Sequence, residues 1–174
     1  MKRTLPFLLT LGLTPLLGST LAAPIQLPNL PLSAEPGERL RLLSDAGIQK
    51  AFPGGNRPEA MFLSSDSKVS LSFEWRQAKL GAPDLNTMLT RFPAVIRAQV
   101  PSIRSLKQSL ITLNGHSWAN FTFVAPGKAG DVRRELLITS LQGRMLVLTV
   151  SSSLADYGRN EAAVRALTAS LRPE

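Results

Sequence analysis

The chain contains no cysteine, which removes whole classes of function at once. A thiol nucleophile, a Cys-based metal centre, a disulfide framework and a lipid-modified N-terminal cysteine are all excluded. Histidine is nearly absent too. His116 is the only one, so no multi-histidine metal site can form. His116 would also have to be the sole base of any serine hydrolase, and it follows the two-residue turn Asn114-Gly115 in no nucleophile-elbow context. A surface or packing histidine is the simpler reading. The carboxylates Glu59, Asp66, Glu74 and Asp84 are dispersed, with no spacing that marks an acid/base pair. Gly54-Gly55 runs into Asn-Arg-Pro, without the Lys-Ser/Thr of a phosphate loop. No catalytic residue, cofactor or metal site is assigned, and the expectation is a protein that is not an enzyme.

What is present begins with a leader. Lys2 and Arg3 precede an apolar stretch over residues 5–17, broken by Pro6, Gly12 and Pro15, and small residues follow up to Ala22-Ala23. This predicts a signal peptide over residues 1–22, cleaved near Ala22, and an exported protein, periplasmic or secreted. The run is shorter than the ~20 residues that span a bilayer. Without Lys2 and Arg3 the remainder carries 18 basic and 12 acidic residues, a net +6. That charge permits attraction to acidic partners or anionic polymers, although only Arg133 and Arg134 are adjacent among the basic residues from 39 to 134. Prolines at 24, 28, 31 and 36 predict an extended tether over residues 23–36, leaving residues 37–174 as one domain with room for a core.

Residues 135–152 organise that domain. Two apolar runs, 136–141 and 145–150, flank Gln142-Gly143-Arg144, and neither face of the implied hairpin is polar. It is therefore expected centrally in a sheet covered on both sides. Residues 68–75 alternate strictly, Val69, Leu71, Phe73 and Trp75 against Lys68, Ser70, Ser72 and Glu74. One side of that strand should be wet, placing it near an edge or where no helix covers the sheet. Strands are also read at 39–43, 59–63, 106–113 and 117–124, with turns at 45–47 and 52–56 and a long loop over 126–130. Leu85, Met88, Leu89, Phe92, Ile96 and Val100 draw a helical stripe with a kink or break expected at Pro93. Ser153 and Asp156 resemble a capping box opening a final helix, although Gly158 weakens its first turn and Asn160 offers a second start. The predicted class is α+β: a mostly antiparallel sheet with helices on both faces, in the order β-β-β-α-β-β-β-β-α.

That order is similar to the PsbP-like α/β/α sandwich superfamily, which includes the extrinsic photosystem subunit PsbP, a Ran-binding nuclear import factor and exported bacterial DcrB-like proteins. The resemblance rests on Asn114-Gly115-His116-Ser117-Trp118, the loop after residue 125, the hairpin over 133–152 and the terminal Ala169-Ser170-Leu171-Arg172. It covers most of residues 37–172. It implies a non-enzymatic domain that binds partners or assists an assembly, and it transfers no functional residue. The chain departs from the lipoprotein members in having no Cys to lipidate, and it carries no motif for the photosystem or Ran-binding roles. The expected role is a protein-binding accessory domain at the cell envelope, with contact through the wet side of 68–75, the 126–132 loop, Arg133 and Arg134. The alternatives are an apolar or lipid ligand held in a pocket at Trp75 and Trp118, or an anionic polymer bound by the basic residues.

Overall fold

The computed structural model describes residues 23–174; the expected signal peptide lies outside them. Seven strands form one antiparallel sheet: β3 (Leu40–Leu42), β4 (Ala60–Ser64), β5 (Val69–Lys79), β6 (Ser105–Leu113), β7 (His116–Gly127), β8 (Gly130–Leu141) and β9 (Arg144–Ser153). Their spatial order is β3-β4-β5-β9-β8-β7-β6. The β8–β9 hairpin is central, as its two apolar faces require. Its turn needs left-handed backbone at both positions, and Gln142 (φ 49°) and Gly143 (φ 73°) supply it.

Two helices cover opposite faces. α2 (Asp84–Gln99) packs with Phe121, Phe123, Ile138 and Val147, while α3 (Leu154–Ser170) packs with Leu71, Phe73, Trp118, Leu137 and Leu148. Alternation along β8 and β9 sends neighbouring residues into the two separate cores. The predicted α+β class and α/β/α layering therefore hold, and the seven strands of the large sheet with α2 and α3 follow the predicted order; α1 (Asp45–Ala51) and three short strands are additional. α3 starts as expected, with the Asp156 backbone N–H donating to the Ser153 hydroxyl. Pro93 does not break α2: it sits buried within the continuous helix, on the side that packs.

Three expectations need correction. Residues 23–36 are not a tether. β1 (Ile25–Gln26) and β2 (Leu32–Ala34) join β10 (Arg172–Pro173) in a small second sheet, and Leu27, Leu30, Leu32 and Ala34 are buried in the α3-side core. The prolines punctuate very short strands whose apolar side chains still face inward. Residues 45–47, read as a turn, open α1 (Asp45–Ala51), whose N-cap Ser44 accepts from the Gly47 N–H. The long loop over 126–130 is also absent, because β7 and β8 pair out to Gly127 and Gly130. A Cβ on Gly127 would lie 2.6 Å from the Val132 side chain, so only glycine closes the hairpin this tightly.

The β4–β5 turn is tied to α3 through Asp66. Its carboxylate accepts from the Ser64 hydroxyl, the Lys68 N–H and the buried Asn160 amide, and these bonds lower its pKa from 3.8 to about 2. A depressed carboxylate stabilises the fold above its unfolded pKa, and that contribution is lost as pH falls through the folded value. Asp66→Asn should therefore lower the melting temperature at neutral pH. The gap to wild type should narrow between pH 4 and pH 2 in thermal melts; a gap constant over that range would refute the assignment.

Candidate functional site

The two faces of the sheet are not equally covered. On its face α2 lies mainly over β6, β7 and β8 and reaches β9 at Val147; among the described residues the stretch of β9 from Thr149 to Ser151 and the facing part of β5 lie beyond the helix. Register shows what this exposes. One row across the sheet reads Met61, Ser72, Thr149, Leu136, Phe121, and the next Ser70, Ser151, Arg134, Phe123. Each row turns from hydroxyl to apolar as it passes beneath the helix. β5 is third of seven strands and no edge strand; its wet side exists because none of the described helices lies over it.

The result is a cleft of about 480 Å³. Its floor carries Ser70, Ser72, Thr149 and Ser151, one wall is Phe92, Ile96 and Val100 of α2, and Phe52 and Met61 stand opposite. Arg134 enters from β8 and forms no ion pair among the described residues, whereas Glu74 and Arg76 pair at 2.8 Å. The site thus offers apolar flanks, a hydroxyl strip and one guanidinium free of ion pairs among the described residues.

Arg133 and Arg134 were expected to act together, and the structure separates them. Being adjacent in a strand, they point to opposite faces. Arg133 lies on the α3 side, bonded to Glu135 at 2.8 Å, with its guanidinium 3.6 Å from the Tyr157 ring centroid. Burial raises the Tyr157 phenol above its usual pKa, with the Arg133 charge working against that shift. Arg133 holds α3 to the sheet; only Arg134 belongs to the cleft. The expected loop contribution shrinks as well, since only Lys128 and Ala129 separate the β7 and β8 strands.

Trp75 and Trp118 form no common apolar pocket. Trp118 is 1% exposed inside the α3-side core. Trp75 is half-buried, with the Arg144 guanidinium 3.8 Å above its ring and its backbone N–H donating to Glu59 at 2.9 Å. It borders a shallow polar depression with Arg57, Glu59, Glu74 and Arg76. Glu59 and Glu74 both line it, at the end of the β4–β5 pair where Ala60 faces Phe73. His116 is exposed at the start of β7. Among the described residues there is no cluster of three or more potential metal-ligating side chains, and no helix is long and apolar enough to cross a membrane.

No protein-family model matches the sequence, and no curated protein matches it significantly. Solved structures do match. The solution structure of cyanobacterial PsbP (CyanoP) from Synechocystis sp. PCC 6803 aligns over 82% of this chain and 86% of its own, at 8% identity and a TM-score of 0.53. This chain has a PsbP-like fold. LpqN of Mycobacterium tuberculosis, described as involved in cell envelope biogenesis, aligns over 88% of this chain and 86% of its own at 12% identity and a TM-score of 0.51. PA94 of Pseudomonas aeruginosa, a protein of unknown function, aligns over 78% and 83% at 15% identity and a TM-score of 0.50. At these identities the PsbP-like likeness establishes architecture, and function must be argued from the cleft.

Proposed function

We propose that the protein is an exported, non-enzymatic accessory domain of the cell envelope that binds a partner protein in the cleft beside α2. The observation that carries this reading is the uncovered strip of Ser70, Ser72, Thr149 and Ser151 between apolar walls. A sheet face with apolar borders and a hydroxyl centre offers hydrogen-bond partners without the cost of leaving a broad hydrophobic patch in water. Arg134 adds a charged anchor at one end, and arginine is among the residue types most often found to matter in interfaces. The leader expected at residues 1–22 and the involvement in cell envelope biogenesis described for LpqN support an envelope location.

Affinity capture from envelope extract tests this at low and moderate salt. The wild type should retain a protein partner in both, and Arg134→Glu should weaken retention about tenfold, the effect of losing a contributing interface arginine. Arg133→Glu should act differently, by lowering the melting temperature. Retention of anionic polymer alone, falling log-linearly with salt, would assign the basic surface to polyanions. A lipid released from the cleft on denaturation, with no protein retained, would assign it to an apolar ligand.

A further inference from the structure

The two edges of the large sheet are built differently. At one edge β3 is only three residues long. At the other, β6 runs nine residues, each paired with β7 in unbroken register from Ser105↔Val124 to Leu113↔His116. Among the described residues its outer side has no strand partner. Natural edges of this length are usually blunted by proline, bulges or several charges. Between its ends β6 has no proline and no register shift, and its one charged residue is Lys107. Leu110, 44% exposed, lies on it as well.

We propose that β6 pairs with β6 of a second copy of this chain, antiparallel about a two-fold axis at Ser109. Strand geometry fixes which groups are free. The tight turn at Asn114-Gly115 makes Leu113 and His116 a hydrogen-bonded pair, so the odd-numbered residues of β6 bond to β7. Counting from the other end of β7 agrees: Gly127 pairs with Gly130, which commits the odd residues of β7 to β8 and the even ones to β6. Leu106, Gln108, Leu110 and Thr112 therefore turn their backbone N–H and C=O outward. A two-fold at Ser109 matches them reciprocally, Leu106 with Thr112 and Gln108 with Leu110, and forms about eight backbone hydrogen bonds.

This register is singled out by the sequence. It is the only two-fold position that pairs all nine residues. It sets Lys107 opposite Ile111, whereas an axis at Lys107 would oppose like charges. It also brings the two exposed Leu110 side chains into diagonal contact beside the axis, on the α2 face. The cleft over β5 and β9 lies away from this edge, so the pairing and the partner contact do not compete.

The cysteine-free background makes the register directly readable. Ser109 would be a non-hydrogen-bonded pair with its own copy, at the short Cα separation that a disulfide spans. Wild-type protein should sediment as a reversible dimer, and Ser109→Cys should give covalent dimer under mild oxidation. Lys107→Cys should not link to itself, since the two thiols would be roughly 13 Å apart along the strand, yet it should link when mixed with Ile111→Cys. Gln108→Pro removes an outward N–H without touching the β7 ladder, and should leave a folded monomer. Monomeric wild type at every concentration, or Ser109→Cys linking no faster than Lys107→Cys, would overturn the proposal. So would capture of a foreign extended segment by monomeric protein, lost on Gln108→Pro, which would assign the edge to another chain.

Discussion

A chain starting at Gly37 should fail to fold, where one starting at Ala23 folds cooperatively. Residues 23–36 insert Leu27, Leu30 and Leu32, at 1%, 4% and 0% exposure, into the core beneath α3. Burying a leucine is worth about 1.5–3 kcal/mol, so removing three forfeits roughly 5–9 kcal/mol, comparable to the entire stability of many domains, about 5–15 kcal/mol. The segment also closes the chain on itself. Arg172 pairs with Ser33 in the small sheet and with Glu35 at 2.8 Å, and the Glu35 N–H donates to Ser170. Its loss would strip the end of α3 of these supports as well. Circular dichroism and thermal melts of the two chains settle the matter. Leu27→Ala is the graded version, expected to cost about 2–5 kcal/mol. An unchanged melting temperature on deletion would restore the tether reading.

The same residues show where sequence reasoning reaches its limit. Strands over four residues long were legible because alternation repeats often enough to be seen, and the hairpins because Asn114-Gly115 and Gln142-Gly143 punctuate them. β1 and β2 span only two and three residues, and four prolines masked the inward spacing of Ile25, Leu27, Leu30, Leu32 and Ala34. α1 escaped for a related reason. It has seven residues, a glycine at the third, and Ile48 as its single buried side chain, so no period could show. The split of Arg133 from Arg134 was in fact visible, since neighbours in a strand always diverge.

The cleft was half legible. The wet side of β5 could be read from Ser70, Ser72 and Glu74. That Thr149 and Ser151 extend the same strip depends on β5 pairing with the sequence-distant β9 in the register Ser72↔Thr149. Local patterns do not carry such long-range pairing. The boundary of α2 is equally non-local, because the helix stops covering the sheet where the rows change from apolar to hydroxyl. The proposed partner-binding reading rests on that boundary.

Photocrosslinking from the cleft floor probes it most directly. A benzophenone amino acid replacing Ser72 would sit between α2 and the Phe52–Met61 side, at a half-buried position in the middle of the strip. The same group replacing Ala166, exposed on α3 at the opposite face, is the control. Irradiation of cells or envelope extract should give one discrete adduct with another polypeptide from Ser72 and none from Ala166. The adduct should fade when Arg134→Glu is added. Equal adducts from both positions, or a Ser72 adduct containing only lipid, would contradict a protein-binding cleft.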